Sequence, residues 1–159
     1  QRANAMRLPF ADETFDIVIN EAMLTMLPLQ AKMKAIAEYY RVLKPGGVLL
    51  THDVMLTTDD SETILQQLRE AINITVTPLT KEGWRNVFSE SGFRNIDTFS
   101  GEMTLLSPKG MIYDEGVFGT IKIIKNALKA ENRHTFKKMF KIFNDPQKKL
   151  NFIAVCSRK

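Results

Sequence analysis

The sequence predicts an open α/β sheet of the doubly wound kind, and three observations predict it. "FDIVIN", residues 15–20, is a short β-branched run that reads as a buried strand. "VLLTHDV", residues 48–54, is a second strand, apolar enough to be covered on both faces. Between them a helical pattern runs from Leu29 to Leu43 and ends in Lys44-Pro45-Gly46-Gly47. Two strands joined by a helix of this length form a βαβ unit, which should be parallel and right-handed.

Each element follows from local chemistry. Pro9 and Asp12 give "RLPFADET" its turn character ahead of the first strand. In the helix, Met33, Ile36, Ala37, Tyr40 and Leu43 recur at helical spacing on one face. Pro45 stops it, and Gly46 and Gly47 make the turn. Asp59, with Glu62 three residues on, reads as a capping box for a helix reaching about Ala71. Thr80 caps the next helix, "KEGWRNVFSESGF", which Gly92 closes. "RNIDTFSGEMTLLS" is strand-like, two lysine-rich helical stretches follow at 109–130 and 133–143, and "NFIAVCSRK" is the last strand.

Composition narrows the function classes. The 159 residues fit one domain, 1–159, with 109–143 as a basic helical insertion. One cysteine, Cys156, excludes an internal disulfide framework and a Cys-rich zinc site, and fits a reducing compartment; no metal site is expected. No apolar run approaches the roughly 18–20 residues of a membrane span, and no signal-peptide pattern is present, so a cytoplasmic location is expected. The start at Gln1, directly before structured-looking sequence, is expected of a piece of a longer chain.

Charge is uneven. Residues 1–108 carry 10 Lys/Arg against 14 Asp/Glu, whereas 109–159 carry 12 against 4. Lys122, Lys125, Lys129, Arg133, Lys137, Lys138 and Lys141 form a basic stripe, readable as a solvated face, a nucleic-acid footprint or a membrane-surface helix. The solvated face is preferred and nucleic acid disfavoured, because Phe136, Phe140 and Phe143 fall at helical spacing on an apolar side. Met23, Met26, Met33 and Met55, and Trp84 with Val87 and Phe88, read as core packing more than as a pocket. His134 reads as a surface residue and Cys156 as a buried strand residue.

In open parallel sheets ligands bind outside the carboxyl ends of the strands. Those ends are "INEAM" and "THDVM", so Asn20, Glu21, His52 and Asp53 are the candidate site residues. Glu21 and His52 are the candidate catalytic bases, the imidazole being suited to proton transfer near neutral pH.

"ANAMRLPFADETFDIVINEAMLTML" followed by "YYRVLKPGGVLLTHDV" resembles the second half of a class I S-adenosylmethionine-dependent methyltransferase. The subgroup it is most similar to is the small-molecule, ubiquinone/menaquinone type. The ordered set Leu-Pro-Phe, Phe-Asp-x-Val and Arg-x-Leu-Lys-Pro-Gly-Gly carries the resemblance, from Ala3 to Val54; "GWRNVFSESGFRNI" fits more loosely. The resemblance implies a partial Rossmann-like methyltransferase fold, strands 4-5-7-6 of a seven-stranded sheet, with helical insertions. The glycine-rich loop and the ribose-binding acid of such enzymes precede the Leu-Pro-Phe segment, so this chain is expected to be a C-terminal portion lacking that loop. It also implies S-adenosyl-L-methionine as cofactor and a small-molecule acceptor. By position, Asn4 would accept from the adenine amino group, Ala5 would offer its backbone N–H, and Met6 would pack on the base. Asn20 and Glu21 would lie towards the sulfonium and the acceptor. Asn4 stands where the family has Asp, so that contact would be uncharged. The rival readings are a non-catalytic half-domain used for binding or dimerisation, and a nicotinamide-dependent oxidoreductase, against which "ANAMRLPF" argues. With the preceding strands missing, "FDIVIN" would become a sheet edge, and self-association is expected.

Overall fold

The structure is a computed structural model that describes residues 2–58, 62–72 and 76–159. β1 (Phe15–Glu21) and β2 (Leu43–Leu56) run parallel and are joined by α1 (Leu29–Val42), as the βαβ reading requires. After β2 come α2 (Glu62–Ile72), the two-residue β3 (Leu79–Thr80), α3 (Lys81–Glu90) and β4 (Arg94–Glu102). Two helices, α4 (Pro108–Ala127) and α5 (Ala130–Phe143), precede β5 (Leu150–Arg158). The sheet order is β1-β2-β5-β4, with β5 antiparallel to both neighbours and β3 beside the end of β2. The Asp59 capping box lies outside the described residues, while Thr80 does cap α3, its hydroxyl accepting from the Gly83 N–H.

The Lys-Pro-Gly-Gly turn departs from expectation. α1 stops at Val42 and the turn is taken up within β2, not between helix and strand. Phe15 lies opposite Leu43 but Ile17 opposite Val48, so the extra β2 residues bulge out of the ladder. Gly46 sits at φ 78°, and a Cβ on Gly47 would stand 2.8 Å from the Lys44 carbonyl oxygen.

The buried face of α1 is also turned from the predicted one. Of the expected stripe Ile36 and Leu43 are buried, Met33 and Tyr40 half-buried and Ala37 exposed, while Lys32, Ala35, Tyr39 and Val42 are buried beside them. A lysine at the centre of the stripe hid it from a hydrophobic count. Ala35, Ile36, Tyr39 and Leu43 join Leu49, Met55, Trp84, Val87, Phe88, Ile153 and Val155 in a core between one sheet face and α1 and α3. Met23 and Met33 pack against it and Met55 lies in it, as core packing anticipates, whereas Met26 is exposed. A second cluster, Leu56, Leu68, Val76, Ile142 and Leu150, binds α2 and α5 at the far end of β2.

Burial of both sheet faces is not observed. On the opposite face Ile17, Ile19 and Phe99 are 57%, 71% and 68% exposed, Leu50 is also exposed, and Cys156 is half-buried. β1 pairs only with β2 among the described residues, so it is an edge strand. Ile17 and Ile19 share the open face and Val18 the core face, the continuous apolar run of a strand covered on both sides, but beside β1 the helices lie on one side alone.

Candidate active site at the carboxyl ends of β1 and β2

The parallel register sets Asn20 beside Thr51 and Glu21 beside His52. Successive strand residues point to opposite faces, and this separates the four candidates into two pairs.

Glu21 and His52 share the open face. His52 Nδ1 and Glu21 Oε1 are 3.2 Å apart, and both side chains are exposed. In the tautomer with the proton on Nδ1, imidazole donates to the carboxylate and Nε2 is left as a lone-pair base. Directly after Glu21, Ala22 takes φ 49°, a left-handed conformation unusual without glycine, and its N–H donates to the His52 carbonyl. The chain is thereby swung off the sheet just where the pair stands. Beside the pair opens a cleft of about 510 Å³ lined by Val54, Met103, Leu105 and Phe152, with Glu102 and Asp114 at its polar parts. Phe152 packs against the His52 ring, centroids 5.6 Å apart.

Asn20 and Asp53 turn to the helix-covered face. Asn20 is buried; its Oδ1 accepts from the Tyr39 hydroxyl at 3.3 Å, while its Nδ2 has no partner among the described residues. Burial, then the charge of Asp53, pushes the Tyr39 hydroxyl up to about 12, so it stays a neutral donor. Asp53 is buried as well, accepting from the Thr25 and Val54 N–H groups. Its work is to pin the 3-10 turn Leu24–Met26 beneath the site.

Sequence reasoning missed Lys32. Its ammonium is fully buried, donates to the Thr77 carbonyl at 2.6 Å and lies 4.8 Å over the Trp84 ring. Desolvation lowers it to about 8 against the opposing pull of Asp53. Trp84 in turn donates to the Val54 carbonyl. This cluster ties α1, α3 and the 76–77 segment under the carboxyl end of β2. The only signal was a lysine at helical spacing with Ile36 and Tyr39.

Asn4 lies on an exposed turn, where its Oδ1 accepts from the Met6 N–H at 2.9 Å and its carbonyl from the Arg7 N–H. Ala5 is half-buried against the core, and Met6 is 37% exposed. The turn is held from below by Arg41, which donates to the carbonyls of Leu8 and Phe10 and pairs with Asp12 and Glu38. A purine needs a donor and an acceptor side by side. Asn4 keeps a second lone pair on its amide oxygen, and the Ala5 N–H has no partner among the described residues. The orphaned Asn20 amide adds a buried donor near the strand end. The residues present fit an adenosine-bearing cofactor.

Three comparisons bear on this arrangement. Residues 1–51 match the family model described as a methyltransferase domain. An uncharacterized protein of Haemophilus influenzae is 77% identical over the whole chain, which spans 63% of that protein's length. The demethylmenaquinone methyltransferase of Lactiplantibacillus plantarum is 52% identical over 50 residues, 31% of this chain and 20% of that protein. Among solved structures, a Haemonchus contortus phosphoethanolamine N-methyltransferase in complex with S-adenosylhomocysteine superposes with a TM-score of 0.70 at 18% identity, over 98% of this chain and 36% of that one. Residues 1–51 thus carry the sequence, and the chain as a whole the fold, of the class I S-adenosylmethionine-dependent methyltransferases.

Proposed function

We propose that this chain supplies the acceptor side, and the adenine side, of a site that methylates a small molecule. The single observation that carries the reading is the Glu21–His52 pair, set side by side at the carboxyl ends of two parallel strands and opening on an apolar cleft. Asn4, Ala5, Met6, Asn20 and Glu21 are the residues that would hold S-adenosyl-L-methionine. When bound, that cofactor supplies a methyl group already activated by its sulfonium. The chain therefore has to position the acceptor, exclude water and take up a proton from an O–H or N–H acceptor. His52 Nε2 takes that proton, and Glu21 steadies the imidazolium that results. Val54, Met103, Leu105 and Phe152 keep the reacting atoms dry and face an apolar part of the acceptor. A cytoplasmic location belongs to the same proposal, supported by the single cysteine; no helix of the described residues is long and apolar enough to cross a membrane.

The test is the pair of exchanges Glu21→Gln and His52→Gln in a protein carrying this chain at the length of its H. influenzae relative. Turnover should fall about 100-fold or more for His52→Gln, the usual scale for a general base, with cofactor affinity little changed. Unaltered turnover in both variants would remove the pair from the chemistry.

A second reading, self-association, is favoured by the β1 edge with its exposed Ile17 and Ile19. An apolar edge with unpaired N–H and C=O groups is a template for another strand.

A further inference from the structure

α4 changes character at Gly116, which leaves the helix at φ 68° and ψ 173°. Beyond it the helix packs on the protein by one side only: Thr120 and Ala127 are buried and Ile123 is half-buried. The adjoining side is apolar and open. Val117, Ile121, Ile124 and Leu128, spaced four, three and four residues apart, are 58%, 44%, 42% and 66% exposed, and Phe118 beside them is 90% exposed.

Cations accompany this stripe. At about 100° per residue, Lys122 and Lys125 fall along one flank of it; Lys129 follows at the junction with α5, and all three are exposed. No Asp or Glu occurs from Gly116 to Ala130. Exposed Arg133, Lys137, Lys138 and Lys141 on α5 extend the positive field. A merely solvated helix has no use for five large exposed apolar residues. A nucleic-acid footprint would set its cations against phosphates without aliphatic side chains at the centre. A second copy of this face brings no acid to meet the lysines.

We propose that residues 117–128 form a membrane-surface helix that lies on an anionic phospholipid bilayer, its apolar stripe in the acyl boundary and its lysines, with Lys129 just beyond, on the headgroups. The charge complementarity selects the partner, and the stripe selects the depth. This proposal does not depend on the methyl-transfer reading, and its test needs no methyl transfer.

The experiment is co-sedimentation of the full chain with vesicles of phosphatidylcholine alone, or containing about 30% phosphatidylglycerol. The chain should sediment with the anionic vesicles only, and added salt should release it. The double variant Phe118→Ser/Ile121→Ser should lower the partition about tenfold or more, and Lys122→Gln/Lys125→Gln/Lys129→Gln should abolish the preference for anionic vesicles. Circular dichroism of both variants should match the parent, since every altered side chain is exposed. Failure of the parent chain to sediment with anionic vesicles would overturn the proposal. So would sedimentation unchanged by either variant, lysine-dependent retention on RNA without vesicle binding, or a serine variant that converts a dimer to a monomer.

Discussion

Replacing Lys32 by Met probes the buried cluster beneath the site. Methionine matches the length of the stem but cannot donate to the Thr77 carbonyl or place a charge over Trp84 and near Asp53. A hydrogen bond from a charged donor is worth about 1.5–3 kcal/mol, and a desolvated cation–π contact about 0.5–2. Against these stands the cost of burying the ammonium. A fall from 10.5 to about 8 withholds on the order of 3 kcal/mol at neutral pH. With the Thr77 carbonyl left unpaired, Lys32→Met should be less stable by about 1–2 kcal/mol at pH 7. The pH dependence discriminates further. Because the folded-state value is depressed, the native chain holds fewer protons than the unfolded chain between pH 8 and 10.5. Stability contributed by this group therefore rises with pH through that window. The methionine variant lacks the rise, so the advantage of the parent should widen by about 2 kcal/mol between about pH 7.5 and 10. Urea denaturation at several pH values measures it. A difference that stays flat or narrows would refute the assignment of a desolvated ammonium at this position.

Two other expectations can be checked alongside. Glu38 is held at about 2, chiefly by its hydrogen bonds with Arg41, so the stability it contributes is present above the ordinary carboxylate range and lost as pH falls from about 4.5 towards 2. Glu38→Gln should cost about 1–2 kcal/mol at pH 7 in thermal denaturation, with the deficit closing in acid; a deficit independent of pH would contradict the pairing. Ile19→Lys, at a 71% exposed edge position, should convert an associating chain into a monomer in analytical ultracentrifugation with little loss of stability; an associating lysine variant would move the contact elsewhere.

The sequence reading reached the elements whose signals are local. Thr80 as a cap and the β-branched run at Phe15 follow from short-range chemistry, and both stand in the structure. The Glu21–His52 neighbourhood was legible because the ends of adjacent parallel strands are brought together by topology alone. What was not legible depends on contacts distant in sequence. Lys32 can be buried because the Thr77 carbonyl, 45 residues on, accepts its hydrogen bond. Asp53 turned out to hold Thr25, since strand alternation sends it to the face opposite His52. The Lys-Pro-Gly-Gly turn was placed between helix and strand, although pairing of Phe15 with Leu43 draws the turn into the ladder. The bare sheet face was the largest surprise to a hydrophobic count, which registers that Ile17, Ile19 and Leu50 are apolar but not which side the helices occupy.

The adenine turn offers the most direct test. S-adenosylhomocysteine should be titrated calorimetrically into a protein carrying this chain at the length of its H. influenzae relative, with Asn4 intact and with Asn4→Ala. Binding is expected for the parent, weakened about fivefold in the variant, the scale of one neutral hydrogen bond. No binding by the parent, or equal affinity in the two proteins, would contradict the cofactor assignment of the Asn4-Ala5-Met6 turn.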